Sequence, residues 1–182
     1  MKLYEVVSLI IGGVVVAWVG YGAFFESNIS TPPFKSLKRI SGIEIREYEK
    51  ILLVSHPMSS ENRSFRQLFR YIDGGNDSSQ KIPMTAPVIE NNGYMMFVMP
   101  KSMSEAPQPM NKELQIKSIK NLKVAVKSFR GSSSAALKVR EKLIKKLNQL
   151  DVNITGEWYL CQYNSPWVFP LLRKNEIWVE IN

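Results

Sequence analysis

The strongest constraint on this chain is that its second half repeats its first. Setting Ile43 on Leu114, an offset of 71 residues, pairs Ile45 with Ile116, Ile51 with Leu122, Leu53 with Val124, Phe65 with Ala136, Leu68 with Val139 and Ile72 with Leu143. A longer second helix moves the later offset to 79, where Ala86-Pro87 falls on Ser165-Pro166. Each half alternates apolar and polar residues in twos and then changes to the 3.6-residue period of a helix. In the first half, Ile43, Ile45 and Tyr48, then Ile51, Leu53 and Ser55, predict two strands with Glu49-Lys50 near a turn. After the helix come a proline-rich strand and a strand over 94–99, joined by the turn Asn91-Asn92-Gly93. The second half predicts strands at 114–117 and 122–126, a helix with Ala136, Val139, Leu143, Leu147 and Leu150 on one face, and strands at 158–163 and 176–181. A half with a single helix cannot cover both faces of its sheet, so the two halves must close on each other. The expectation is one α+β domain: two pseudo-symmetric ββαββ repeats forming a distorted eight-stranded β-barrel flanked by two helices.

The stretch 61–88 carries the most local information. Phe65, Leu68, Phe69 and Ile72 share one helical face, while Arg63, Arg66, Gln67 and Arg70 lie off it. Ser60 suits the N-cap, and Glu61 suits the first turn, where the helix dipole favours an acid. Gly74-Gly75-Asn76 stops the helix, because these residues accept the left-handed conformation cheaply. Ile82-Pro83-Met84-Thr85-Ala86-Pro87-Val88 follows, and its two prolines demand an edge or bulged strand.

Ahead of this domain, residues 6–25 contain no charge and are long enough for one N-terminal transmembrane helix. Trp18, Tyr21, Phe24 and Phe25 crowd one end, where aromatic residues prefer the interface. The rival is a cleaved signal peptide. Its n-region would be only Met1-Lys2, Glu5 intrudes, and Gly20-x-Gly22 is a poor cleavage site. The expectation is therefore an anchor at 1–25 (or an uncleaved signal), a stiff linker at 26–36 with Pro32-Pro33, and a folded domain at 37–182. Localisation is expected at a membrane through a single pass. Lys35, Lys38 and Arg39 argue for a cytoplasmic domain, but uncleaved N-terminal anchors often face the other way, so the side stays open.

A net charge of +8 admits anionic partners. The charges are scattered singly and in pairs without an aromatic-interleaved basic tract, which argues for a solvated surface and against nucleic acid. Cys161 is the only cysteine and His56 the only histidine, so no intrachain disulfide forms and a zinc site of the usual kind has too few ligands. No G-x-S-x-G is present, and a Cys-His or Ser-His centre has few ways to form. No catalytic residue is assigned. His56, next to Pro57 at a strand end and expected to be half exposed, is a weak candidate for a metal ligand. The methionines are candidates for strand faces or for a soft pocket. An apolar small molecule needs apolar walls, and any acidic group on it needs cations. Helix 61–73 offers Phe65, Phe69 and Tyr71 as walls, with Arg66 and Arg70 as cations.

The helix ending Tyr71-Ile72-Asp73-Gly74-Gly75-Asn76, followed by Lys81-Ile82-Pro83-Met84-Thr85-Ala86-Pro87-Val88, resembles the SOUL haem-binding protein family. Ile43-Glu44-Ile45-Arg46-Glu47-Tyr48 is similar to that family's opening strand. Tyr163-Asn164-Ser165-Pro166-Trp167 with Arg173-Lys174-Asn175-Glu176-Ile177-Trp178 is similar to its ending. The resemblance covers residues 35–182. It implies a doubled β-barrel flanked by two helices, with a non-covalent tetrapyrrole in a cleft beside helix 61–73 and the last strands. Arg70 stands where relatives carry a basic residue and Phe65 where some carry an apolar contact. Phe169 stands near a position that is basic in some relatives, a loss that Arg173-Lys174 partly replaces. Glu47 occupies the place of the histidine some members are thought to use, so that route to iron is absent.

These readings converge on a membrane-tethered haem or tetrapyrrole carrier or buffer that is not an enzyme. The alternatives are a binding, even hydrolytic, domain for another amphipathic small molecule, similar to multidrug effector-binding domains, with Glu157 as its buried carboxylate, and a protein-interaction module.

Overall fold

Residues Ile43–Pro57 form one 15-residue strand where the alternation predicts two. Gln115–Arg130 does the same in the second half. The two strands pair antiparallel, and the ladder brackets Glu49 and Asn121 between Tyr48↔Leu122 and Lys50↔Lys120. At that point the inward-facing set slips by one residue in both strands. Tyr48 is followed inside by Ile51 and Leu53, and Ile119 by Leu122 and Val124. These two sets are related by the offset of 71 seen in the sequence. The break in alternation is thus a kink shared by two paired strands, not a turn, with Asn121 in the left-handed region at φ 52°.

The computed structural model describes residues 2, 4–5, 29–165 and 168–182. The predicted span 6–25 and linker residues 26–28 lie outside the described residues, as do Pro166 and Trp167. Among the described residues, no helix is long and apolar enough to cross a membrane. The elements are β1 (Lys35–Ile40), β2 (Ile43–Pro57), α1 (Glu61–Ile72), β3 (Val88–Asn91), β4 (Tyr94–Val98), β5 (Gln115–Arg130), α2 (Ala136–Gln149), β6 (Ile154–Gln162) and β7 (Lys174–Ile181).

The sheet order is β1-β2-β4-β3-β6-β7-β5, and a further β2–β5 pairing closes it. Six antiparallel strands therefore make a closed barrel, with β1 added beside β2, where eight strands were expected. Fusion of two predicted strand pairs removes two from the count; β1, which alternation did not reveal, adds one. Five of the six residues of β1 are exposed, so it carries no buried face to read. The repeat itself is present. β2, β4 and β3 of one half correspond to β5, β7 and β6 of the other, and the halves join at β2–β5 and β3–β6.

Three apolar clusters result. One fills the barrel interior and includes Tyr48, Ile51, Leu53, Leu122, Val124 and Trp178. One lies between the outer barrel face and α1, built on Leu52, Val54, Leu68, Ile72 and Phe97. The third lies under α2, built on Ala125, Leu143, Leu147, Ile177 and Val179. The turn Asn92-Gly93, with both residues at positive φ, joins β3 to β4 as the sequence predicts. The segment 82–87 is not a regular strand, and its Ala86–Pro87 peptide is cis.

Candidate functional site

The site begins with how α1 is seated. Ser60 Oγ accepts from Arg63 N at 3.4 Å, the predicted N-cap. Gly75 N donates to Arg70 O at 2.9 Å to close the other end. A Cβ on Gly75 would lie 2.7 Å from that carbonyl oxygen, so a side chain has no room there. Two further bonds fix the rotation of the helix about its axis. Ser64 Oγ donates to Pro57 O at 3.1 Å, and Tyr71 OH donates to Pro107 O at 2.8 Å. The buried stripe is therefore Ser64, Leu68, Tyr71 and Ile72. The apolar face predicted from Phe65, Leu68, Phe69 and Ile72 is turned by these polar anchors, so Phe65 is half-buried at its edge and Phe69 is 47% exposed.

That rotation opens a groove. It has a volume of about 460 Å³ and lies between α1 and the seam where β3 meets β6. Its apolar wall is Phe65, Val88 and Met95. Phe65 is held edge-on against Phe97 with ring centroids 5.2 Å apart. Glu61, Asn62, Arg66, Glu90, Gln162 and Asn164 supply the polar lining. Val88 pairs with Gln162 across the seam, so both halves of the repeat contribute. Gln162 Nε2 donates to Glu90 Oε1 at 2.7 Å. Burial and the nearby charge of Glu61 push the Glu90 carboxyl above its ordinary pKa, although the Gln162 bond opposes this.

Of the predicted site residues, the structure brings Phe65 and Arg66 together in this groove. Arg66 Nε donates to Asn62 O at 3.2 Å. Phe69 stacks on Phe65 at 6.3 Å but lines a neighbouring cup with Met84. Arg70 is exposed and lines neither. Phe169 and Arg173 are half-buried around the 3₁₀ turn Pro170–Leu172, where Arg173 Nε donates to Val168 O at 3.0 Å. Neither is among the described residues lining the groove. His56 is buried rather than half exposed. Its Nδ1 lies 3.1 Å from Ser64 Oγ and its Nε2 3.3 Å from Glu113, so both ring nitrogens are occupied away from the groove. Among the described residues, no group of three or more His, Cys, Asp and Glu could hold a metal ion. The groove offers an apolar wall, one guanidinium from Arg66 and the sulfur of Met95, a lining compatible in kind with a flat apolar ring that carries one anionic arm. Glu61 and Glu90 oppose a second anionic arm.

Sequence reasoning passed over Glu90 and Gln162, which carry no local signal and meet only through strand pairing. It also passed over the carboxylate at the heart of the barrel. Glu176 is fully buried and accepts from Arg46 Nη1 at 2.8 Å, Tyr163 OH at 2.6 Å, Trp178 Nε1 at 2.9 Å and Ser128 Oγ at 3.1 Å. Burial pushes its pKa up, but the bonds from Arg46, Tyr163 and Trp178 and the Arg46 charge outweigh this and lower it to about 2. Glu157, the expected interior carboxylate, is exposed instead and accepts from Asn91 and Asn92 Nδ2 at 2.9 Å each.

Residues 29–180 match the family model described as SOUL heme-binding protein. The chain belongs to this family. Among similar proteins, heme-binding protein 2 of Homo sapiens is 31% identical, over 75% of this chain and 76% of that protein. Heme-binding protein 1 of Xenopus laevis is 26% identical, over 84% of this chain and 90% of that one. The SOUL barrel also resembles the crystal structure of the EcmrR C-terminal domain, with a TM-score of 0.58 at 12% identity over 77% of this chain and 96% of that one. A hydrolase from Listeria innocua gives 0.55 at 9% identity, over 80% of this chain and 94% of that one. At such identities these two likenesses concern the fold alone.

Proposed function

We propose that this SOUL protein binds haem or a related tetrapyrrole non-covalently in the groove beside α1, as a carrier or buffer and not as a catalyst, and that residues 6–25 tether it to a membrane. The observation that carries the ligand reading is the groove itself. Its volume of about 460 Å³ lies within the ~300–1,000 Å³ usual for small-molecule sites. It joins an apolar wall of Phe65, Val88 and Met95 to the guanidinium of Arg66. Relatives whose names describe them as heme-binding proteins support the same ligand class. Binding would come mainly from covering the ring faces, at ~25 cal/mol per Å² of apolar surface. When bound, the group would supply its iron and its light absorption. The chain's own residues cover the ring, orient it through one carboxylate and keep water from its inner face.

Glu157, the carboxylate expected for a hydrolytic domain, is exposed, and the buried carboxylate among the described residues, Glu176, is engaged by Arg46, Tyr163, Trp178 and Ser128, which argues for the binding reading. Titration of the full-length protein in detergent with haemin, followed at the Soret band, tests the proposal. A saturable shift weakened by Phe65→Ala and Arg66→Glu is expected. No saturable shift, or one indifferent to both substitutions, rejects it.

A further inference from the structure

We propose that the Phe69 side of α1, with the apolar cup beneath it, docks on the surface of an anionic lipid bilayer. The inference rests on residues 6–25 being the membrane anchor. Residues 26–29 separate that stretch from Ser30, so even a fully extended link reaches at most about 18 Å. Ser30 is fixed to the domain. It pairs with Thr85, and its carbonyl accepts from Ala86 N at 2.9 Å. Whatever surrounds Thr85 is therefore held close to the bilayer.

What lies there suits a lipid surface. Met84 precedes Thr85 and, with Phe69, Ile82 and Pro83, lines an open cup of about 340 Å³. Phe69 is 47% exposed at its rim, an aromatic ring of the kind that settles at a membrane interface. Cations surround it. Arg66 and Arg70 are exposed on the same helix, and Lys81 lies on the cup. Asp73, on the cup, pairs with Lys81 at 3.2 Å, and Glu61 and Glu90 lie with Arg66 in the adjoining groove, which leaves Arg70 as the cation farthest from an acid. An apolar centre ringed by excess positive charge is complementary to anionic headgroups over an acyl interior. Docking in this orientation also has a consequence for the groove. Phe69 stacks on Phe65, the groove's wall, so an apolar ligand would pass from bilayer to groove along adjoining rings.

The test uses the full-length chain in vesicles of phosphatidylcholine, with and without phosphatidylserine. Lys81→Cys receives an environment-sensitive dye, and native Cys161 is buried and does not compete. Asn148→Cys, exposed on α2 over the other half of the barrel, is the control. The expected result is blue-shifted emission at position 81, quenched by lipids with spin-labelled headgroups and stronger with phosphatidylserine. Position 148 should stay water-like, and Phe69→Ser should abolish the shift at 81. Phe69 is half exposed, and far-UV circular dichroism checks that its variant stays folded. A dye at 81 as water-exposed as the one at 148 overturns the docking. Carbonate extraction reads the anchor separately. Protein that resists extraction while position 81 is water-exposed overturns docking alone; protein that is extracted overturns the anchor and docking with it.

Discussion

Arg46 donates from Nη1 to Glu176 Oε2 at 2.8 Å inside the barrel, joining β2 to β7 across 130 residues of chain. Nη2 adds a second contact at 3.2 Å. Both side chains are removed from water, with 8% and 0% exposure, so each is the other's main compensation. Arg46 also donates to Glu44, which Arg39 holds from outside, and the Phe34 ring covers the guanidinium 4.3 Å away. A buried pair of this kind is costly to break from one side, because the survivor is left charged and unpaired. Arg46→Met should lower stability by about 3–5 kcal/mol. The double variant Arg46→Met with Glu176→Leu should recover part of that loss. Urea unfolding followed by tryptophan fluorescence checks both.

Acid should act through the same cluster. Burial raises the Glu44 pKa, but bonds from Ser36, Arg39 and Arg46 outweigh it and lower the value to about 2, as for Glu176. A carboxyl depressed in the folded state binds fewer protons there than in the unfolded chain. Its contribution is therefore fully present above the unfolded value of about 4.5 and is lost as pH falls toward 2. The contribution of these two carboxylates should be steady from pH 7 to about 5 and then fall steeply. In Arg46→Met the fall should be shallower, since the depression of Glu176 goes with its partner.

Glu90 should behave oppositely. Its folded pKa is raised by burial and by Glu61, so its charged form is the disfavoured one. The folded state holds the proton more tightly than the unfolded chain. That contribution is complete below the unfolded value and is lost as pH rises through the folded one. In the groove, a charged Glu90 also repels a dianionic ligand. Haemin affinity should rise as pH falls through the Glu90 transition, and Glu90→Gln should raise affinity above that transition and flatten the dependence. Soret titrations across pH measure both.

The wall and the cation of the groove should separate in magnitude. Phe65→Ala removes a ring face worth ~0.5–1.5 kcal/mol beyond its buried area, so haemin should bind about tenfold more weakly. Arg66 is exposed, and an exposed ion pair contributes only ~0–1 kcal/mol, so Arg66→Ala should cost no more than about fivefold. Raising the salt concentration should erase the Arg66 effect and leave the Phe65 effect in place. Equilibrium titrations at two ionic strengths discriminate them.

The repeat was legible because burying one face of a strand or helix imposes a period, and the same period returning 71 residues later means the same fold twice. The Asn92-Gly93 turn and the Ser60 cap were legible for local reasons: left-handed backbone at the first, unpaired helix N–H groups at the second. The exposed strand β1 left no period, and a kink shared by β2 and β5 looks in sequence like a turn. Which residues line the groove depended on the rotation of α1, set by bonds from Ser64 to Pro57 and from Tyr71 to Pro107. Those bonds cross gaps of 7 and 36 residues, so no local pattern announces them. Periodicity and local caps were enough to specify a doubled barrel with a phenylalanine-bearing helix on its flank. That Phe65 and Arg66 meet Val88, Glu90 and Gln162 came from packing, because strand pairing and helix rotation are relations between distant segments. The same holds for the choice of Glu176 as the buried acid, since a carboxylate stays inside only where the fold brings it an arginine.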